Sequence, residues 1–268
     1  MADCGFKPHG MWTGRQDMSV PRVGDLKIRI FADGADLKSI RVAAADPRIQ
    51  GFTTNPTLMR AAGVDDYKAF ALELLRLVPD RPISFEVFAD DFPTMADQAR
   101  EIASWGANVY VKIPITNTKG EFSGPLIAEL SHGGIKLNVT AVMTLDQVGR
   151  IGEALSDRTP AVISVFAGRV ADTGRDPVPH MRRALELIRH RRKVELLWAS
   201  PRELLNIFQA DEIGCHIITV TGDLLKKLAL VGKDLELYSR DTVAMFYKDA
   251  AAAGYQIRIA PRPKAVAS

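Results

Sequence analysis

A chain of 268 residues, 47% hydrophobic and 25% charged, carries enough apolar material for a large core and is not a disordered or linker-like polypeptide. Its 35 basic and 32 acidic residues leave a net charge of +3, too slight to call for nucleic acid or a membrane surface as partner. Two cysteines, Cys4 and Cys215, stand at opposite ends without metal-ligand spacing, so a disulfide framework is excluded and a cytoplasmic location is expected.

Residues 1–25 contain Gly, Pro and charges but no apolar stretch of secretory-signal length, and they read as an N-terminal extension. Short β-branched or apolar runs then alternate with helical patterns. The predicted strands are 28–33 (IRIFAD), 51–55 (GFTTN), 83–87 (ISFEV), 109–113 (VYVKI), 136–140 (KLNVT), 161–166 (AVISVF), 194–199 (VELLWA) and 215–220 (CHIITV). Between the second and third runs, Tyr67, Phe70, Ala71, Leu74, Leu75 and Val78 recur with the period of one helix face. Thr94 with Asp97, Thr144 with Gln147 and Ser200 with Glu203 match capping boxes, and Pro201 fits a first helical turn. The run Arg189 to Lys193 falls at a predicted helix C-terminus, where cations complement the dipole on a solvated face. Residues 238–255 read as a terminal helix whose Val243, Phe246 and Tyr247 pack on its own barrel or on a neighbour, which leaves homo-oligomerisation open.

Eight strand-then-helix units without an internal linker predict an α/β fold, a (β/α)8 TIM barrel forming a single domain over 26–268. A doubly wound sheet is the competing architecture. No segment is apolar and long enough to span a bilayer.

Active sites of such barrels gather at the C-terminal strand ends. Polar residues stand there in strand after strand: Asp33, Asn55, Glu86, Lys112, Asn138 and Thr140, Ser164, and then Ser200. Lys112 is the most informative, because loss of hydration inside an apolar barrel disfavours an ammonium and favours the nucleophilic amine. An amine attacks ketones, and the resulting iminium is an electron sink for cleavage of the adjacent carbon–carbon bond. Asp33 and Glu86 suit the proton transfers of that chemistry, although charge compensation for Lys112 is the plainer explanation of both. Ser200-Pro201-Arg202-Glu203 reads as a helix start that would favour a phosphate, with Arg202 and Arg169 adding donors; individually these read as an N-cap and two surface residues.

The segments FADGAD (31–36), GFTTNPTLM (51–59), SFEV (84–87), VKIP (111–114), LNVTAV (137–142), ISVFAGRV (163–170) and WASPRE (198–203), in this order, resemble the transaldolase family. The resemblance runs from about residue 28 to about residue 235. It implies a metal-independent class I transferase of the pentose phosphate type, without a cofactor, that moves a dihydroxyacetone unit from a ketose phosphate to an aldose phosphate. On that likeness Lys112 is the Schiff-base nucleophile and Asp33 the acid/base. Glu86 and Thr140 handle protons through a water, and Asn55 and Asn138 hold the three-carbon unit. Ser164 and Phe166 line the pocket, while Arg169, Ser200 and Arg202 take phosphate. The related fructose-6-phosphate aldolases look as if they carry Gln at the position of Glu86 and Tyr at that of Phe166, which favours transfer over release. A lyase using dihydroxyacetone and a non-catalytic phosphosugar-binding barrel are the rival readings. His9, His132, His180, His190 and His216 show no paired ligand spacing, so no metal is expected.

Overall fold

A computed structural model describes residues 22–259. Cys4, His9 and most of the extension read at 1–25 lie outside the described residues; its end, Val23–Asp25, forms a 3-10 turn. Gly24–Ala229 makes one compact unit, and the described chain from Leu230 onward belongs to a second.

In the first unit, eight parallel strands close into a barrel in sequence order. They are β1 (Arg29–Asp33), β2 (Ile49–Thr53), β3 (Ile83–Glu86), β4 (Val109–Pro114), β5 (Leu137–Val142), β6 (Ala161–Val165), β7 (Val194–Trp198) and β8 (Ile217–Thr221), with β1 pairing β8 from Arg29↔Ile217 to Asp33↔Thr221. The helices are α1 (Leu37–Ala44), α2 (Pro56–Ala61), α3 (Tyr67–Leu77), α4 (Phe92–Ser104), α5 (Gly124–His132), α6 (Leu145–Ala154), α7 (Ala167–Asp172), α8 (Pro177–Ile188), α9 (Leu205–Glu212) and α10 (Gly222–Lys226). The predicted TIM barrel is therefore present, and the doubly wound alternative is not.

Side chains alternate across each strand, so one set fills the barrel and the other meets the helices. Phe31, Val162, Leu197, Ala199 and Ile217 pack together, joined by Tyr110 and Phe166. These residues fill the barrel axis. Phe31 takes the space above Gly51, where a Cβ would lie 2.5 Å from its ring. Two residues further along the same strands stand Asp33, Lys112, Ser164 and Thr219. The outward set of Ile83, Phe85, Val111, Ile113, Leu137, Val139 and Ile163 is fully buried under the helices. Val111 and Ile113 thus point away from Lys112, and it is the barrel interior that desolvates the amine.

Predicted helix signals met mixed outcomes. The capping box of Thr144 and Gln147 is complete, and α3 buries Phe70, Ala71, Leu74 and Leu75 as its period requires. Asp91 rather than Thr94 caps α4, accepting from the Thr94 amide, because Pro93 occupies the first turn. The box at Ser200 does not form, since α9 starts only at Leu205. Ser200 instead takes a left-handed φ of 60°, and the side chain of Asn206 accepts from the amides of Arg202 and Glu203.

In the second unit, α11 (Leu235–Ala252) is capped by Asp234 and starts three residues before the predicted 238. It contains no buried residue, and Val243, Phe246 and Tyr247 are exposed. Among the described residues no helix is long and apolar enough to cross a membrane.

Candidate active site

Lys112 is reached by counting along β4: Tyr110 packs inside the barrel, and the next inward position is Lys112, 7% exposed. Its register partners are Glu86 on β3 and Asn138 on β5. The Lys112 Nζ donates to the Thr54 carbonyl at 2.9 Å and lies 3.2 Å from Glu86 Oε2. The amine is thus held between a carboxylate and a carbonyl inside a largely apolar barrel.

Asp33 ends β1 on the same inner face. Thr53 Oγ1 donates to its Oδ1 at 2.7 Å, and Asn55 Nδ2 approaches Oδ2 at 3.4 Å. The single Thr53 proton is spent on Asp33, so Thr219 on β8 donates to Thr53 across 2.5 Å. Burial pushes the Asp33 carboxyl above the ordinary carboxylate range, with the Lys112 charge and the Thr53 bond pulling it back down. Asn55 lies beyond the end of β2 and caps α2, its Oδ1 accepting from the Leu58 amide at 2.9 Å, with Pro56 in the first turn. That division of labour leaves the Asn55 amide nitrogen for Asp33.

A second buried chain crosses the other side of the mouth. Ser164 donates to Asn138 Oδ1 at 2.6 Å, and Asn138 Nδ2 donates to Ser84 Oγ at 3.0 Å. Thr140 is the next inward position after Asn138 and is also buried. Directly beyond it Ala141 adopts a φ of 61°, and the β5–β6 register shifts between Val139 and Val142. Such a bulge at a barrel rim re-aims the neighbouring side chain.

The loops after β6 and β7 meet by backbone contact. A Cβ at Gly168 would lie 1.6 Å from the Ser200 carbonyl oxygen, so only glycine permits this approach. Arg202 is exposed. Its Nη1 donates to Ser200 Oγ at 2.9 Å, while Nε donates to Asp172 Oδ1 at 2.8 Å and Nη2 to the other carboxylate oxygen. These bonds hold the Asp172 carboxyl below its ordinary range. Arg169, also exposed, sits 5.2 Å from the Phe166 ring centroid. The cluster therefore carries two guanidinium groups against one carboxylate, but not the helix start expected at Ser200, because α9 begins only at Leu205.

Asp33, Asn55, Glu86, Lys112, Asn138, Thr140 and Ser164 come together at the barrel mouth, while Phe166 caps α7, Arg169 lies within it, and Ser200 and Arg202 lie on the loop after β7. Sequence reasoning passed over Thr53, Ser84, Thr219, Asp172 and Tyr67. Thr219 was findable as the polar inward position of the eighth strand. Cys215 offers no alternative nucleophile, since burial pushes its thiol up to about 12.

A closed barrel thus carries one buried lysine at its strand ends, with two carboxylates on the same inner face. The profile of the Transaldolase/Fructose-6-phosphate aldolase family matches residues 30–257, and the chain belongs to that family. Among its relatives, a protein of Roseiflexus sp. named "Probable transaldolase" is 37% identical over 202 residues, covering 75% of this chain and 88% of the relative. A "Probable transaldolase" of Dehalococcoides mccartyi is 33% identical over 75% of this chain and 90% of its own length. "Probable transaldolase 2" of Listeria monocytogenes is 32% identical over 83% and 99%. Solved structures share the barrel at much lower identity. KGPDC from Streptococcus mutans matches at a TM-score of 0.52 and 12% identity, over 77% of this chain and 94% of that one. A mandelate oxidase mutant with a monooxide FMN adduct matches at 0.52 and 12%, over 77% and 72%. Those two speak to the fold alone. The relatives make the chain an enzyme of transaldolase or aldolase type.

Proposed function

We propose that the chain is a transaldolase that moves a dihydroxyacetone unit from a ketose phosphate of the fructose 6-phosphate or sedoheptulose 7-phosphate type to an aldose phosphate. The observation that carries this reading is the placement of Lys112 Nζ 3.2 Å from the Glu86 carboxylate, inside a barrel mouth shared with Asp33. Glu86 is within reach to take the ammonium proton, freeing the amine for attack on the C2 carbonyl. The carbinolamine loses water, with Glu86 and Thr140 moving protons through a water molecule, to leave an iminium. Asp33 as carboxylate then removes the proton from the C4 hydroxyl while the C3–C4 bond breaks and its electron pair flows into the iminium. The aldose phosphate departs, leaving an enamine held by Asn55 and Asn138 in a pocket lined by Ser164 and Phe166. Attack of the enamine on an incoming aldehyde reverses the sequence, and hydrolysis frees Lys112. Arg169, Ser200 and Arg202 take the phosphate.

The rival reading, an aldolase that releases free dihydroxyacetone, needs a proton delivered to the enamine carbon. Phe166 has no hydroxyl to deliver or orient one, which favours transfer. Measuring glyceraldehyde 3-phosphate release from fructose 6-phosphate with and without an aldose phosphate acceptor decides between them. Release is expected to depend on acceptor; rapid turnover without it would establish the aldolase.

Asp33 gives the reading a pH signature. The Thr53 bond lowers the Asp33 carboxyl, so Thr53→Val removes a stabiliser of the carboxylate and lets Asp33 keep its proton to higher pH. Because the base form is needed for cleavage, the acid limb of the kcat/KM profile is expected to move to higher pH. An unmoved limb, or one moved downward, would count against Asp33 as the base.

A further inference from the structure

We infer that Tyr67 is a positioning residue for the lysine centre, acting from outside the barrel on both groups that hold the Lys112 amine; this rests on the lysine-centred reading above. Tyr67 opens α3, and its hydroxyl reaches back to the end of β3. It accepts from the Glu86 amide at 2.7 Å and donates to the Glu86 carbonyl at 3.0 Å. Both backbone groups of one residue are thereby satisfied by a single side-chain oxygen. The location explains the need. The β2–β3 ladder runs only over Phe52↔Ile83 and Thr53↔Ser84, so at Glu86 no strand on the β2 side offers partners. Without Tyr67 the β2-facing amide and carbonyl of Glu86 would lack partners, and its carboxylate would be held from the β4 side alone.

The same hydroxyl lies beside the Thr54 side chain. Thr54 bonds through its own hydroxyl to the Ser84 carbonyl at 3.0 Å, and its carbonyl accepts from Lys112 Nζ at 2.9 Å. One phenol therefore braces Glu86 directly and Thr54 by contact, and these two residues supply the polar partners of the lysine amine. The ring is itself held fast, at 4.6 Å from Phe88, 5.5 Å from Trp105 and 6.1 Å from Phe85, the last two edge-on. A rotamer locked by aromatic packing holds an active-site group more closely than a loop does. Tyr67 does not touch substrate in this arrangement, so its contribution is to orientation.

Tyr67→Phe keeps the ring packing and deletes only the oxygen. At a temperature where the variant is folded, kcat is expected to fall roughly tenfold, as expected for a lost orienting contact, with KM for fructose 6-phosphate unchanged within about twofold. The rate of borohydride-trapped adduct formation on Lys112 at saturating donor is expected to fall in step. Ile151→Val, on the buried face of α6 and outside the ring cluster, is the structural control: it trims the core and lowers Tm but leaves kcat at the wild-type value. Thr54→Val provides a second variant, with a smaller loss of kcat at unchanged KM, should Tyr67→Phe prove too unstable to assay. Wild-type kcat and trapping rate in the folded variants overturn the inference, as does a rise in KM at constant kcat. Absence of an adduct in the wild-type protein overturns the lysine reading itself, and the positioning role with it.

Discussion

Lys112→Ala is expected to abolish the covalent adduct that borohydride traps in the presence of fructose 6-phosphate, and to lower kcat/KM by about 10⁴-fold or more, the scale seen when a nucleophile is removed. The expectation is this strong because, among the described residues, Lys112 is the only buried lysine. Lys112 is the inward residue of β4 at the mouth, bonded to Thr54 and paired with Glu86. Lys136, two residues before Asn138, lies toward the opposite end of the barrel, where it donates to the Ala107 carbonyl and approaches the Tyr110 ring. Mass spectrometry of the reduced complex should place the three-carbon adduct on the peptide containing Lys112. An adduct that survives Lys112→Ala, or an unmodified wild-type protein, would refute the assignment. Removing the lysine leaves Glu86 without its ion partner, so Lys112→Met, which restores bulk, is the better variant if the alanine protein folds poorly.

Gly168→Ala is expected to damage phosphate recognition while sparing the lysine. The new Cβ would sit 1.6 Å from the Ser200 carbonyl oxygen, a backbone atom that no rotamer change can move aside. Either the β7 loop shifts or the start of α7 does, at a stability cost of about 1–3 kcal/mol, typical of overpacking. Ser200 and the Arg202 bonded to it would be displaced from Arg169 on α7. KM for fructose 6-phosphate should then rise at least tenfold, whereas free dihydroxyacetone, which has no phosphate, should still be trapped on Lys112 at close to the wild-type rate. Equal KM values in the two proteins would mean that this loop pair does not hold the phosphate. Ser200 itself already occupies a left-handed conformation uncommon for a residue with a side chain, so the loop has little room to yield.

The barrel was legible in the sequence because its strands carry their burial on both faces, leaving compact β-branched runs between helices of clear period. Strands 83–86 and 109–114 match their predicted runs to within one residue. The second strand was read two residues late, since exposed Gln50 interrupts the apolar run after Ile49, while the outgoing Thr54 and Asn55 still look like strand. What stayed hidden depended on closure. Thr219 acquires a partner only when β8 and β2 flank β1 and their inner side chains meet across it. Tyr67 looked like one more position on a helix face, because its decisive contact is with the backbone of a residue 19 positions away. The Ser200 motif misled for a local reason: a Ser-x-x-Glu spacing is equally compatible with a tight turn, and Asn206 had the better geometry for the free amides. Lys112 was readable as an anomaly in its strand and Glu86 as its charge partner, but the Thr54 carbonyl was not, because a backbone acceptor leaves no mark in the residue types.

The packed axis beneath the site has a kinetic meaning. Phe31 over Gly51, with Val162, Leu197 and Ile217, closes the barrel below Asp33 and Lys112, so molecules enter and leave through one doorway. For a transferase working through an enamine, donor and acceptor cannot occupy that doorway together. The first aldose phosphate has to depart before the second arrives, and the carbon fragment waits on the protein as the only cargo aboard. The order of exchange is then imposed by the shape of the vessel, with no gate or moving lid required to enforce it.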